Sequence, residues 1–335
     1  MGKYSAAHAS PAGAGDARPT ALQIIQDNDM EGKLAGKVIV VTGVTSGIGA
    51  ETARALFATG ATLFLTARDI KAAEASLSDI VQSDHVFLIQ MDLNSFSSVR
   101  ATADEILKQS KNKVNVLVCN AGIMGIKTRT LTEDGHEVHF QANHLGHFLL
   151  FELLKPALLA STAPDFNSRC VMVSSSAHRA TTLRDTDDYS FEKGGYNLEE
   201  AYANSKLANV YVANEIERRY GSKGLHGISL HPGAIATNIS RNLGPEFVAQ
   251  IMANPYLVQI LKNLEQGAAT TVYAAISKDW EGKGGKYFED CEEAKRGEDD
   301  GQTFGVGWVK QTYDPEQEAR LWKDSLKMVG LQDDE

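Results

Sequence analysis

The chain has 335 residues, 43% of them hydrophobic and 23% charged, the balance of an ordinary globular protein. Its formal net charge is −10 with the acidic residues spread along the chain, so the basic footprint needed for nucleic-acid binding is missing. Three widely spaced cysteines, Cys119, Cys170 and Cys291, match neither a disulfide framework nor a zinc spacing, and they point to a reducing compartment.

Residues 1–33 read as a flexible N-terminal arm, rich in Ala, Gly and Pro at its start, with Thr20 placed to cap a short helix through Ala21–Gln26. The N-terminus lacks the layout of a signal peptide, and nowhere is there an apolar run long enough to span a bilayer. A cytoplasmic, membrane-free protein is expected. From Leu34 the chain alternates. Short apolar runs at Val38–Val41, Thr62–Leu65, Val86–Ile89 and Val114–Val118 predict strands, with helical periodicity over 47–58, up to about Ile80, and over Ser95–Leu107 between them. A long helix over about 136–160 follows, then a strand at Cys170–Val173, a helix over Glu199–Tyr220, a strand at Gly227–Leu230 and a seventh at Lys286–Phe288. Runs of this kind separated by helices predict βαβ units. The expectation is an α/β fold, one doubly wound domain over 34–335 with a seven-stranded parallel sheet and helices on both faces. A substrate lid is expected at about 234–265. There Ile239, Leu243, Phe247, Ile251, Met252, Tyr256, Leu257, Ile260 and Leu261 recur at helical spacing with few charges between them; core packing or a subunit interface is the competing use of such a segment.

The first strand–helix junction reads Thr42-Gly43-Val44-Thr45-Ser46-Gly47-Ile48-Gly49. Glycines here permit a tight turn and a close approach of backbone to a pyrophosphate, and the helix N-terminus offers amides to anionic oxygens. Alone the turn is weak evidence, because many β–α turns are glycine-rich. At the end of the second strand, Ala67 stands where an NAD-preferring site carries a carboxylate for the ribose, and Arg68 follows. A guanidinium and a missing carboxylate both favour the 2′-phosphate of NADP(H); a shift of one residue would instead bring Asp69 near the ribose.

Tyr202 and Lys206 stand at i and i+4, on one face of a helix. A neighbouring ammonium favours the phenolate, so such a tyrosine can exchange a proton with an alkoxide. The fifth strand ends in Ser174-Ser175-Ser176, hydroxyls able to steady a carbonyl oxygen; turn-forming serines are the plain alternative, and no nucleophile elbow surrounds them.

The turn at 42–49, Asn120-Ala121-Gly122, Asn143, the serines, Tyr202/Lys206 and Pro232-Gly233 occur in the order of the short-chain dehydrogenase/reductase superfamily, and the chain resembles it over about 38–240. Phe140-Gln141-Ala142-Asn143-His144-Leu145-Gly146-His147-Phe148 and Ser205-Lys206-Leu207-Ala208-Asn209 resemble more narrowly the branch of retinol dehydrogenases and WW-domain-containing oxidoreductases, and the N-terminal arm resembles fungal members. Neither the membrane anchor of many retinol dehydrogenases nor a WW module is seen, which argues against retinoid or membrane-lipid substrates.

The resemblance implies a Rossmann fold and a set of roles. Tyr202 is the general acid/base, Lys206 lowers its pKa and holds the nicotinamide ribose, and Asn143 supports a water-linked proton path through Lys206. Ser175 orients the substrate oxygen, since the branch pattern Val-Ser-Ser-x-Ala-His aligns its second serine there. For the cofactor it implies Ser46 and Ile48 at the phosphates, with Gly43, Thr45, Gly47 and Gly49 in the same turn. Asp92 and Leu93 lie by the adenine, Asn120 near the ribose with Ala121 and Gly122, and Ile235 and Thr237 at the nicotinamide amide after Pro232-Gly233. No metal is expected: His136, His139, His144 and His147 have helical spacing but form no H-E-x-x-H pattern. The expected function is an NADP(H)-dependent carbonyl reductase or alcohol dehydrogenase acting on a bulky, largely apolar small molecule; a homodimer fits this reading. The alternatives are a redox-neutral relative, such as an epimerase or dehydratase, and a nucleotide-sensing binding protein, although a scaffold without chemistry has no need of all four catalytic groups.

Overall fold

In a computed structural model, which describes residues 2–333, the apolar runs become the strands of one sheet. They are β1 (Val38–Thr42), β2 (Thr62–Ala67), β3 (Val86–Gln90), β4 (Val116–Cys119), β5 (Ser168–Val173), β6 (Leu225–Leu230) and β7 (Lys286–Glu289). An eighth, β8 (Glu292–Glu293), turns back antiparallel along β7. The order across the sheet is β8-β7-β6-β5-β4-β1-β2-β3, and every pair but β7–β8 is parallel. The expected seven parallel strands are therefore present, with a short antiparallel edge added.

The strand runs are continuous in hydrophobicity because both faces are covered. Ile39 and Val41 of β1 pack in one layer with Ala53 and Val272, from helices Gly47–Phe57 and Ala269–Ile276. Val40 packs in the opposite layer with Val99, Leu149, Leu207 and Trp322, from helices Phe96–Ser110, Gly146–Ser161, Leu198–Tyr220 and Pro315–Met328. The predicted long helix over 136–160 is interrupted. It opens as Val138–Phe140, widens into a π turn over Gln141–Leu145, and continues as Gly146–Ser161. Such π turns gather at functional sites, and this one carries Asn143.

Two further departures concern the ends of the domain. The arm, expected to be flexible, is docked: Tyr4 and Arg18 are buried, and its backbone and side chains bond to residues 259–266 and to Glu292. The segment after β6 forms two short helices, Pro245–Ala253 and Pro255–Ile260, each opened by a proline. Its two ends, Ala234–Ile235 and Leu261–Lys262, pair as a small parallel ladder. Phe247 lies outside the described side chains. Among the described residues, no helix is long and apolar enough to cross a membrane.

Strand order reverses at β1, which has β2 on one side and β4 on the other. Chains leaving β1 and β4 diverge to opposite faces and open a crevice at the carboxyl rim, the place where open parallel sheets bind ligands.

Candidate active site

That crevice is a cleft of about 540 Å3. Every cofactor residue anticipated above lines it, from the glycine turn through Arg68, Asp92, Leu93 and Asn120-Ala121-Gly122 to Pro232, Gly233, Ile235 and Thr237. Ser175, Tyr202 and Lys206 line it too. Asn143 stands just behind: a Cβ on Gly122 would lie 3.3 Å from both Asn143 Oδ1 and Lys206 Nζ.

The turn at its floor is held from beneath. Gly43 has φ of 77°, and Asn120 Nδ2 donates to the Thr42 and Gly43 carbonyls at 2.8 and 3.3 Å. Gly49 seats the helix on this bridge, for a Cβ there would stand 2.2 Å from the Gly43 oxygen and 2.4 Å from Asn120 Nδ2. Ser46, the N-cap of helix Gly47–Phe57, makes no side-chain cap bond, which leaves the first amides of the helix open to an anion. Asn120 Oδ1 and Asn94 Oδ1 are buried without a hydrogen-bond partner among the described residues, and both residues line the cleft. Buried orphan acceptors, open helix amides and a side-chain-free turn fit a dinucleotide.

At the end of β2, Arg68 and Asp69 both line the cleft. Asp69 is the N-cap of helix Ile70–Ser76 and accepts from the Ala72 amide at 3.0 Å. One of its carboxylate oxygens is thereby used by the helix. Arg68 is exposed on the cleft wall, and among the described residues no carboxylate pairs with it.

Helix Leu198–Tyr220 carries Tyr202 and Lys206 against the ends of β5 and β6. Burial pushes the Tyr202 phenol up to about 12, and the Ser175 side chain offsets part of this by hydrogen bonding. Lys206 lies on the same wall as the phenol. Its ammonium passes 5.8 Å from the ring centre and donates to the Val173 carbonyl at 3.0 Å, while burial pushes it down to about 8. The three serines separate cleanly. Ser174 is buried and donates to the Lys206 carbonyl at 2.7 Å, Ser176 is buried, and Ser175 faces Tyr202. Asn143 is fully engaged: Oδ1 accepts from the Ile123 amide at 2.8 Å, and Nδ2 donates to the Ile123 carbonyl and to Ser205 Oγ.

Two histidines that sequence reasoning left without a role hold the Ser175 turn. His178 Nδ1 donates to the Ser175 carbonyl at 2.7 Å, and its Nε2 accepts from Thr312 at 3.0 Å. His231 Nδ1 accepts from the Ser176 amide at 3.2 Å. Burial pushes His178 down to about 4 and His231 down to about 3, which keeps both neutral, as these bonds require. The family pattern already ended in a histidine at 178; nothing in the spacing marked His231. The four histidines at 136–147 have separate surroundings. His139 bonds Glu137, His144 bonds Ser325, His147 bridges Thr42 and the Asn143 carbonyl, and His136 leans on Phe96. Of the segment over 234–265, residues Ile235, Thr237, Asn238, Ile239 and Arg241 reach the cleft, and Asn238 Nδ2 donates to Ser46 Oγ at 3.3 Å across it.

Comparison with known proteins agrees with this geometry. A family model described as short chain dehydrogenase matches residues 37–247. The chain is 46% identical over 330 residues to the short-chain dehydrogenase/reductase prx1 of Penicillium roqueforti, covering 98% of this chain and 96% of that one. It is 39% identical over 286 residues to the WW domain-containing oxidoreductase of Gallus gallus, covering 82% of this chain and 66% of that longer protein. Among solved structures, that of an uncharacterised protein from Mycobacterium paratuberculosis superposes with a TM-score of 0.66 at 31% identity, covering 89% of this chain and 95% of the other.

Proposed function

The chain belongs to the short-chain dehydrogenase family, in the branch of the WW domain-containing oxidoreductases and retinol dehydrogenases, and from that premise we propose that it is an NADP(H)-dependent enzyme interconverting a ketone or aldehyde with an alcohol on a bulky, largely apolar small molecule. The observation that carries the reading is the meeting of Ser175, Tyr202 and Lys206 on one wall of a cleft whose floor is a glycine turn fitted to a dinucleotide. NADP(H) is favoured over NAD(H) because Arg68 on the cleft wall is paired with no carboxylate among the described residues, while Asp69 beside it spends one oxygen on its own helix. The buried, free cysteines suit a reducing, cytoplasmic setting.

When bound, the cofactor supplies or accepts the hydride at the carbonyl carbon. The protein handles the oxygen. Ser175 and Tyr202 offer hydroxyl hydrogens to it, which steadies the charge that develops there. With its pKa pushed up to about 12, Tyr202 holds its proton at neutral pH and can give it to the nascent alkoxide. Lys206 spends one hydrogen bond on Val173, leaving two N–H groups for ribose hydroxyls. Its charge, present below about pH 8, favours the phenolate left behind. Asn143 holds the Ile123 backbone on the flank of this wall, and the water-linked proton path through Lys206 is assigned to its neighbourhood. Asp92 and Leu93 serve the adenine; Ile235 and Thr237 serve the nicotinamide amide. Ile239 lines the cleft, and Met252 and Tyr256 stand exposed further along the same segment, which supports reading the stretch after Pro232-Gly233 as an apolar lid.

The test is NADPH oxidation over a panel of aldehydes and ketones, repeated with Tyr202→Phe. The variant should bind NADPH normally while turnover falls at least about a hundredfold. Near-normal turnover of any substrate by the Phe variant would remove Tyr202 from the chemistry.

A further inference from the structure

Both hinges of the lid meet at one place. Ala234–Ile235 leaves the sheet, Leu261–Lys262 returns to it, and the two pair in register. Between them, helices Pro245–Ala253 and Pro255–Ile260 expose Met252 and Tyr256, and among their described side chains only Leu257 is buried. The lid therefore depends on its hinge for position.

The N-terminal arm is bound to that hinge. Arg18 is 4% exposed, and its guanidinium is filled with hydrogen bonds. Nη1 donates to the Ile260 carbonyl at 2.8 Å, Nη2 to the Leu261 carbonyl at 2.5 Å and the Gly13 carbonyl at 3.0 Å, and Nε to Asp16 Oδ1 at 2.8 Å. The Gly13 amide donates to the Gln259 carbonyl at 2.9 Å. On the other side Gln266 closes the clasp, donating to the Asp16 and Arg18 carbonyls at 3.1 Å and accepting from the Gly15 amide at 2.9 Å. The carbonyls at 259–261 end helix Pro255–Ile260, where backbone acceptors lack partners within the helix and a cation is favoured. A buried guanidinium is tolerated only when its donors are met, so this fork has a strong preference for one hinge geometry.

The hinge in turn touches the cofactor side of the cleft. Ile235 lines the cleft and pairs with Lys262. The Lys262 stem lies so close to Gly233 that a Cβ there would come within 2.8 Å of it, and Lys262 Nζ is held by Asp290 at 2.7 Å. We propose that Arg18 is a positioning residue for the lid: through it the N-terminal arm straps the hinge at 260–262 and sets how the segment 236–260 closes over the substrate. This rests on the oxidoreductase reading of the cleft.

Amide hydrogen exchange of the full-length protein, with and without NADPH, tests the strap without needing turnover. Arg18→Met removes the fork, and Asp16→Asn loosens it more gently should the first variant fold poorly. In either, exchange at 260–262 and 234–235 should rise at least about tenfold with the amides of β1–β6 unchanged. The KM for a bulky ketone should rise about fivefold while NADPH affinity changes less than about twofold. Hinge exchange equal to wild type would overturn the proposal, and so would acceleration spread evenly over β1–β6, which would make the arm a general stabiliser. Should wild type reduce no carbonyl at all, the redox reading fails, and the exchange pattern still decides the strap.

Discussion

At the scale of single residues, the cleft is specified by side chains whose alternatives are used up elsewhere. Ser174, Ser175, Arg68 and Asp69 all line the cleft, but Ser174 donates to the Lys206 carbonyl and Asp69 accepts from the Ala72 amide, while Ser175 and Arg68 are the ones the proposed function assigns to ligand. Sequence reading brought each choice down to two or three neighbours and could go no further unaided, because adjacent polar residues at a strand end differ only in which way they point. The cofactor prediction belongs here. A charge-assisted contact from Arg68 to a 2′-phosphate is worth about 1.5–3 kcal/mol. Arg68→Ala should therefore weaken NADPH binding about ten- to a hundredfold and leave NADH almost unchanged. Fluorescence titration with both cofactors checks it; equal losses would assign Arg68 to the surface instead. The residue scale also shows where pattern stops. The i, i+4 spacing put Tyr202 and Lys206 on one face, but it gave no sign that the ammonium also donates to Val173.

At the scale of elements, the seven parallel strands were legible because each is a short apolar run bounded by polar turns, and both faces of the sheet are buried. What was not legible has a common cause. The ladder of Ala234–Ile235 with Leu261–Lys262 and the docked arm are each made by hydrogen bonds between distant segments, which leave no periodicity in either partner. The π turn at Gln141–Leu145 escaped for a different reason: it keeps the apolar helical pattern and changes only the backbone pairing. The glycine turn shows an element whose logic can be tested. A methyl at Gly49 would collide with the Gly43 carbonyl and Asn120 Nδ2, neither of which can retreat without opening the β1–β4 crevice. Gly47 is different. Its Cβ would meet nothing closer than 3.6 Å, and the cost there is the backbone φ of 67°. Gly49→Ala should lose about 1–3 kcal/mol of stability by overpacking and weaken NADPH at least about tenfold. Gly47→Ala should lose only about 1–2 kcal/mol, from the left-handed backbone. Urea unfolding and cofactor titration of the two variants rank them; the reverse order would mean the helix, not the bridge, yields.

At the scale of the whole molecule, four neutral histidines tie distant parts of the fold together. His144, in the π turn, bonds Ser325 of the C-terminal helix, and His147, in the helix that follows, bonds Thr42 of β1. His178 joins the Ser175 turn to Thr312, and His231 holds Ser176. Burial pushes His144 and His231 down to about 3, and His147 and His178 down to about 4. Unfolding exposes all four to water, where they titrate near 6.5. Between those values the unfolded chain binds protons that the folded one refuses. The stability they contribute is therefore whole above about pH 6.5 and is lost as pH falls toward 4. Partly buried His8 and His136, also pushed down by burial, act with them, and Glu51, pushed up by burial, acts against them, as Glu289 does more strongly. Burial and Asp290 push Glu289 up to about 7, so folding keeps a proton there that the unfolded chain releases above about 4.5. The four histidines set against Glu289 alone give a net uptake of about two to three protons on unfolding near pH 5.5, or about 3–4 kcal/mol per pH unit. Urea unfolding between pH 7 and pH 5 should show that slope, levelling off above pH 7. Replacing His144 by Phe, which suits its contacts with Phe140 and Phe148, should remove about one proton from the slope while leaving the cleft intact. A stability that stays flat from pH 7 to pH 5 would mean the buried histidines find water or protons in the folded state, and the account of the Ser175 turn, which needs His178 and His231 neutral, would fall with it.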